Sequence, residues 1–322
     1  MNPQPLSRRS FLALSAALPT ALAAQLSSGP AAGPAIPVTG ASTPSSLATP
    51  AAGMKPYPIG LELYSVRGEL GNGNDQLNVA TLTALSKMGY KLVEFWAPYY
   101  NWTYVQAKEG RKLIDDLGIR CRSTHNSIGY FADDKLAKAI EINQILGTKY
   151  LVMSTAGNPN GVDGWKKVGE TLTTAAEKLK PHGLFTGFHN HETEWTPLVE
   201  GGPRAMDVLA ANTPQEVMLQ LDVGTCVMAG ADPVAWIKAN PGRINSVHCK
   251  EWSKAQGFNA LFGEGDAPWK QIFAAAENGG GVEYYLIEQE QSPRGQELAT
   301  VEKDLATWNK MRAVDSSPVK PA

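Results

Sequence analysis

The sequence is poor in cysteine and in net charge and has no second long apolar run, so several classes of protein are excluded. Three cysteines among 322 residues are too few for a disulfide scaffold. A formal net charge of −2 gives no basic surface for nucleic acid. Beyond the N-terminal region no segment has the length of a membrane span. The overall composition, 43% hydrophobic and 19% charged, is that of an ordinary globular protein.

The cysteines are predicted to be buried free thiols. Cys121, Cys226 and Cys249 each fall in or beside a predicted strand, and an odd number of cysteines cannot all pair. A disulfide between Cys226 and Cys249 is the alternative in an oxidising compartment.

The first 26 residues are predicted to be an export signal. The pair Arg8 and Arg9 precedes the apolar residues 13–24, which end in small residues suited to cleavage. The pattern resembles a twin-arginine signal, which implies a periplasmic or otherwise exported protein that folds, often with its cofactor loaded, before export. A disordered tail that carries two arginines by chance is the alternative.

The rest of the chain divides by composition into three parts. Residues 27–55 are rich in alanine, proline and serine and have almost nothing to bury, which predicts a flexible linker. Residues 56–312 are predicted to form one catalytic domain, and residues 313–322 a disordered tail.

Eight strand-like and eight helix-like segments alternate through this domain, which predicts a (β/α)8 barrel. Strict alternation requires parallel strands, and about 255 residues is the usual size of such a barrel. An open doubly wound sheet is the alternative, but no glycine-rich phosphate loop follows the first strand. The sequence Gly263-Glu264-Gly265 is predicted to be a tight loop over the site. The predicted strands are 59–65, 91–96, 119–124, 150–154, 185–189, 217–222, 244–248 and 284–288, and the predicted helices are 78–88, 105–117, 133–146, 163–179, 203–211, 233–239, 268–278 and 296–311.

Histidines and carboxylates are concentrated where the predicted strands end. The carboxyl ends of the strands form the active-site face of a (β/α)8 barrel. His189 and His191 are two residues apart, so their side chains point to the same side of an extended strand. His182 is the one histidine that lies elsewhere, in a helix-to-strand turn. The strand-end residues are Glu94, His125, Ser154, His189, His191, Asp222, His248, Lys250, Glu288 and Glu290.

Predicted strands five to eight each end in a residue that can bind a metal ion: His189, Asp222, His248 and Glu288. Because adjacent strands place their ends around one point, we expect these four side chains to bind one divalent ion. Mixed imidazole and carboxylate ligands suit Mn²⁺, Co²⁺, Zn²⁺ or Mg²⁺, and the set is too poor in sulfur for a structural zinc. The alternatives are an N-cap role for Asp222 and a hydrogen-bonded core role for one histidine of the pair.

Five segments, taken in order, resemble the sugar phosphate isomerase/epimerase family of xylose-isomerase-like barrels. That superfamily includes inosose dehydratase, ketose 3-epimerases and endonuclease IV. The resemblance covers residues 58–311, and no single segment is specific, whereas their order and spacing are. The segments are FHNHETEW at 188–195, LDVG at 221–224, HCKE at 248–251, GEG at 263–265 and IE at 287–288.

The resemblance implies a divalent metal held by Glu, Asp, His and Glu at the ends of strands five to eight. Asp222, His248 and Glu288 match the last three ligands, whereas His189 stands where the family has a glutamate. In the epimerases a pair of metal-bound glutamates moves the proton between the two faces of the substrate. Only Glu288 of that pair is present here.

The remaining site candidates supply proton transfer and substrate contacts. Glu288 is the predicted catalytic carboxylate, and His191 or Glu194 is the candidate for the missing proton carrier. The predicted substrate contacts are Glu94, His125 and Lys250.

The function expected from these features is a metal-dependent isomerase or epimerase of a keto-sugar or cyclitol. A metal ion that polarises a carbonyl acidifies the neighbouring C–H, and a carboxylate or imidazole can then move the proton. A keto-sugar or keto-inositol dehydratase or other lyase is the alternative on the same site. A non-catalytic carbohydrate-binding barrel is the alternative of another class, and the net charge and export signal argue against a DNA-repair enzyme.

Overall fold

Eight parallel strands, paired in chain order and closed by pairing of the first with the last, form a barrel in the computed structural model. The model describes residues 57–293 and 295–315. The predicted (β/α)8 barrel is therefore confirmed, and the open sheet is excluded because β1 and β8 pair. The predicted signal and linker lie outside the described residues. The strands are β1 Ile59–Glu62, β2 Leu92–Phe95, β3 Arg120–Ser127, β4 Tyr150–Thr155, β5 Phe185–His189, β6 Met218–Asp222, β7 Ser246–Cys249 and β8 Tyr284–Ile287.

Helices connect the strands on the outside of the barrel and begin and end at recognisable signals. The Asn78 side chain caps the first helix by accepting a hydrogen bond from Thr81 N, and Gly89 ends it with a φ of 116°. Thr103 and Gln106 form a reciprocal capping box at the start of the second. The helices are α1 Val79–Met88, α2 Tyr104–Asp116, α3 Asp133–Leu146, α4 Gly161–Leu179, α5 Ala205–Asn212, α6 Val223–Met228, α7 Pro233–Ala239, α8 Trp269–Ala275 and α9 Glu297–Asp315.

Several elements differ from the prediction in their bounds, and one helix was not predicted. The first strand ends at Glu62, because the chain turns into a 3₁₀ segment at Leu63–Val66. Strand β3 continues to Ser127, so His125 lies within it. Helix α6 was not predicted, because its six residues are apolar or small and read as an irregular connection. Helix α9 continues to Asp315, which is beyond the predicted domain boundary at residue 312.

The three cysteines are buried free thiols, as predicted. Burial raises the pKa of the Cys249 thiol well above its usual value and acts in the same direction on Cys121 and Cys226. None of the helices in the described part of the chain combines the length and apolarity needed to cross a membrane.

The inside of the barrel changes from apolar to polar toward the carboxyl ends of the strands. One buried cluster consists of Leu92, Tyr150, Val152, Met218, Tyr284 and Leu286. Side chains two residues apart on a strand point to the same face, so the residue two positions farther along also points inward. The pairs that follow this rule are Gly60 with Glu62, Leu92 with Glu94, Gly187 with His189, Met218 with Gln220 and Leu286 with Glu288. The apolar layer therefore supports the polar one.

We predict that Gly187→Ala destabilises the barrel by about 1–3 kcal/mol, because overfilling a packed core forces neighbouring atoms to move. A Cβ at this position would lie 2.8 Å from both the Cβ and the carbonyl oxygen of Met218, its partner on β6. Chemical unfolding measures the loss. Gly129→Ala is the matched control, since a Cβ there meets nothing within 4 Å. Equal stability of the two variants would contradict the packing account.

Candidate active site

The four predicted ligands converge at the carboxyl end of the barrel. His189, Asp222, His248 and Glu288 each offer one nitrogen or oxygen atom, and these atoms lie within 4.8 Å of one another. Asp222 and His248 are direct partners in the pairing of β6 with β7. All four side chains are buried, so the sequence-based expectation that adjacent strand ends meet is confirmed for these residues.

His189 has a ring nitrogen directed at this cluster. Its Nδ1 lies 3.1 Å from Gln220 Oε1, an acceptor, so Nδ1 carries the proton in that hydrogen bond. The lone pair of Nε2 then faces Asp222 Oδ2, which is 3.8 Å away. Burial, followed by the neighbouring His125 and His248, holds the pKa of His189 well below its usual value. His189 is thus a neutral imidazole with a free nitrogen, as a metal ligand must be.

His248 lies between two carboxylates. Its Nδ1 is 2.6 Å from Glu288 Oε2, and its Nε2 is 2.8 Å from Glu94 Oε2. Burial alone would lower the pKa of His248, but the two carboxylates outweigh it and raise the pKa to about 10. His248 therefore carries the positive charge that neutralises Glu94 and Glu288, and it would have to release a proton to bind a metal ion.

Glu94 and His125, two of the predicted substrate contacts, lie in the same network. His125 Nε2 is 2.9 Å from Glu94 Oε2 and 2.8 Å from Gln220 Oε1. Burial would raise the pKa of Glu94, but His125 and His248 hold it well below its usual value. These contacts hold both side chains in place, so Glu94 and His125 line one side of the site in addition to any contact with a substrate.

Lys250, the third predicted substrate contact, is buried among carboxylates. Its Nζ lies 2.9 Å from Asp222 Oδ2, 2.8 Å from Glu288 Oε1 and 2.8 Å from Glu290 Oε2. Burial would lower the pKa of Lys250, but the three carboxylates raise it well above its usual value. Lys250 is therefore an ammonium ion inside the site.

Asp222 combines the two roles that the sequence left open. Its Oδ1 accepts a hydrogen bond of 2.9 Å from Thr225 N and so caps α6. Its Oδ2 points the other way, forms an ion pair with Lys250 Nζ at 2.9 Å and lies 3.8 Å from His189 Nε2. One carboxylate thus starts a helix and lines the site.

His191 and Glu194 lie beside the cluster. The His191 ring is half-buried, with its centroid 5.0 Å from that of His189. Glu194 Oε2 accepts a hydrogen bond of 2.8 Å from the backbone N–H of His191 and so holds the turn after β5. Among the described residues, no ion pair joins Glu194 to the site.

Two buried residues of the site were missed from the sequence. Gln220 contacts His125 and His189 and donates from Nε2 to Glu94 Oε1 at 3.1 Å. It lies two residues before Asp222 on the same inward face of β6, so the two-residue period of a strand places it at the site. Glu62 was missed because the first strand was predicted to end at Ser65. Burial, followed by repulsion from Glu288 and Glu94, raises the pKa of Glu62 well above its usual value.

The residues present fit a divalent cation. Glu62 Oε1 is buried without a hydrogen-bond partner, whereas Glu94 Oε2, Asp222 Oδ2 and His248 Nε2 lie in ion pairs with neighbouring side chains. Two imidazoles and two carboxylates that come together without sulfur form a set of ligands that divalent ions such as Mn²⁺, Co²⁺ or Zn²⁺ accept.

The loop from 250 to 268 covers one side of the site and is organised by Glu251. This buried carboxylate accepts hydrogen bonds from Trp252 N at 3.0 Å, Gly263 N at 2.9 Å, Ala267 N at 3.3 Å and Trp269 Nε1 at 2.6 Å. Gly263 has a φ of +82°, as a tight loop requires, and it packs against Thr307 and Met311 of α9. The loop reaches the site through the Phe258 ring, 5.6 Å from Lys250 Nζ.

Comparisons with known proteins agree with this architecture. A family model described as a xylose isomerase-like TIM barrel matches residues 82–311. The rhizopine catabolism protein MocC of Rhizobium meliloti is 34% identical over 87 residues, which are 27% of this chain and 26% of that protein. The match thus spans about a quarter of that relative's length.

Two solved structures extend the comparison over most of the chain. A sugar phosphate isomerase/epimerase from Parabacteroides distasonis has a TM-score of 0.70 at 25% identity and covers 86% of this chain and 100% of that one. An L-ribulose 3-epimerase has a TM-score of 0.56 at 17% identity and covers 83% of this chain and 100% of its own. The second likeness shows the fold alone. The chain therefore resembles isomerase- and epimerase-type enzymes.

We predict that Glu251→Gln loosens the loop, because an amide offers one acceptor oxygen where the carboxylate offers two. Losing buried hydrogen bonds costs about 1–3 kcal/mol, so the Gly263 and Ala267 amides should exchange with solvent roughly tenfold faster or more. Hydrogen exchange read by mass spectrometry measures this. Glu264→Gln, an exposed change in the same loop, is the control. Unchanged exchange in Glu251→Gln would contradict its organising role.

Proposed function

Because the chain belongs to the xylose isomerase-like TIM-barrel family, we propose that it is a divalent-metal-dependent isomerase or epimerase. Its substrate is a keto-sugar or cyclitol, and the reaction moves a proton on the carbon next to a carbonyl. The observation that carries the proposal is the convergence of His189, Asp222, His248 and Glu288 within 4.8 Å. A bound Mn²⁺, Co²⁺, Zn²⁺ or Mg²⁺ ion supplies the Lewis acid that acidifies the substrate C–H.

The side chains around this cluster have distinct roles in the proposal. Glu288, at the end of β8, takes the proton from carbon, because its carboxylate is kept ionised by Lys250 and His248 despite burial. Gln220 fixes the tautomer and orientation of His189, as hydrogen-bond partners of metal-binding histidines commonly do. His191 is the second proton carrier, since its half-buried ring lies 5.0 Å from that of His189. Glu194 is less suited, because its Oε2 already accepts a hydrogen bond from the backbone N–H of His191.

A dehydratase or lyase is the second candidate, and one observation favours it. Epimerisation needs a proton carrier on each face of the substrate, yet a histidine, His189, stands where the family resemblance implies a glutamate. Elimination needs one base and one acid. Glu288 is the candidate base, and His191, whose ring lies 5.0 Å from that of His189, is the candidate acid.

We also propose that the protein is exported through its twin-arginine signal. Arg8 and Arg9 and the apolar run that follows support this. Export after folding would allow the metal site to be filled in the cytoplasm.

We predict that Asp222→Ala and His248→Ala each lose the bound ion and the reaction, because each removes a ligand. Metal analysis of the purified protein should fall from about one ion per chain to nearly none. Exchange of solvent hydrogen into the carbon next to the carbonyl, screened over keto-sugars, should disappear. His182→Ala is the control, since His182 is exposed in the turn before β5, at the opposite end of that strand from His189.

The same assay separates the alternatives. Hydrogen exchange with return of an isomer supports the isomerase, and loss of water from the substrate supports the lyase. Sugar binding without exchange would favour a non-catalytic barrel. Full ion content and activity in either alanine variant would overturn the proposal.

We predict that replacing Arg8 and Arg9 together by lysine stops export, because the twin-arginine route requires the arginine pair. Fractionation of cells that carry this route should then find the protein in the cytoplasm in place of the periplasm. The paired change Arg120→Lys and Arg122→Lys, which lies in the barrel domain, is the control. Undiminished export of the N-terminal variant would refute the signal.

A further inference from the structure

Lys250 occupies part of the space that a metal ion would need. Its Nζ is 2.9 Å from Asp222 Oδ2 and 2.8 Å from Glu288 Oε1, and both carboxylates belong to the four-residue cluster. The side chain is only 2% exposed, so the ammonium is held inside the protein. The two carboxylates that would bind a metal ion therefore already have a cation between them.

The reason for this arrangement is charge compensation. Burying an ionised carboxylate is costly unless a positive group or several hydrogen bonds accompany it. A divalent ion and an ammonium cannot both lie within bonding distance of the same carboxylate oxygens, because two cations at that separation repel strongly.

We propose that Lys250 is an internal cation that competes with the divalent ion for Asp222 and Glu288, so that the ion binds only when the ammonium withdraws. This inference rests on the proposed function, because it assumes that the ion binds at the cluster. Lys250 compensates part of the negative charge of the ion-free site and lowers the affinity of the chain for divalent ions.

Glu290 offers the withdrawn ammonium a second partner. Its Oε2 is 2.8 Å from Lys250 Nζ, and its side chain is 30% exposed, whereas those of Asp222 and Glu288 are 0% and 7% exposed. A small rotation of the lysine side chain would keep the pair with Glu290 and release the two inner carboxylates. The ammonium then lies toward the mouth of the barrel. Ion binding and the position of Lys250 are thus coupled.

Titration of the ion-free protein with Mn²⁺ in a calorimeter tests the competition. Lys250→Met should bind Mn²⁺ about tenfold more tightly or better than the unaltered chain, because the competing charge is gone. Lys250→Gln, which keeps hydrogen-bond donors without the charge, should change affinity in the same direction. Lys254→Met, an exposed change in the same loop, should have no effect. Unchanged or weaker binding in both Lys250 variants overturns the proposal.

A thermal-unfolding measurement shows whether the Lys250 variants remain folded. Without its lysine the ion-free site holds uncompensated carboxylates, so the ion-free Lys250→Met protein should melt at a lower temperature than the unaltered chain. Mn²⁺ should then raise the melting temperature of the variant by more than it raises that of the unaltered chain. An equal rise in the two proteins counts against the competition.

A double-mutant cycle tests the withdrawal to Glu290. Glu290→Gln should weaken Mn²⁺ binding in the unaltered chain and have little effect in the Lys250→Met background. Equal weakening in both backgrounds would mean that Glu290 touches the ion itself, which overturns this step.

Asp222→Ala separates the two proposals. If the unaltered chain and Asp222→Ala bind Mn²⁺ equally, or neither binds it, the proposed metal site is wrong. If binding depends on Asp222 but not on Lys250, the metal site stands and only the competition fails.

Discussion

At the mouth of this barrel the buried carboxylates Glu94, Asp222 and Glu288 are each accompanied by a positive partner. Glu94 lies against His125 and His248, and Glu288 lies against His248 and Lys250. The network joins strands that are distant in the chain, and closing the barrel is what brings them together. Fold and site are therefore stabilised by the same contacts, since removing one charge leaves its partner buried alone.

The apolar layer below makes this network possible. Gly187 leaves space for Met218, and Gly60 does the same for Leu92 and Leu286, so large side chains fill the barrel directly beneath the polar groups. This apolar layer leaves no room for water to screen the charges above it, and it holds the polar side chains in position. The segment held by Glu251 reaches the site through Phe258, whose ring lies 5.6 Å from Lys250 Nζ.

The fold was largely predictable because it depends on local patterns that repeat. Helix α3 has the predicted bounds of 133–146, since its apolar spacing and the glycine after it are both local signals. The convergence of His189 and Asp222 was predictable because the order of parallel strands follows the order of the chain. Helix α6 was missed because six apolar or small residues carry no period of their own.

The parts of the site that could not be predicted depend on contacts across the barrel. The sequence places Lys250 near the strand ends but does not reveal that three carboxylates surround it. Gln220 looks like one polar residue in an apolar strand until its neighbours His125 and His189 are known. In both cases the partner lies on another strand, at a distance that only the closed barrel determines.

Asp222 both caps α6 and places a negative charge in the site, so few other residues could replace it. Asparagine and serine start helices as well as aspartate does, but they bring no negative charge. Glutamate brings the charge on a longer side chain that is not among the favoured helix-starting residues. Aspartate alone meets both demands. A substitution at residue 222 would therefore weaken either the start of α6 or the negative charge beside Lys250.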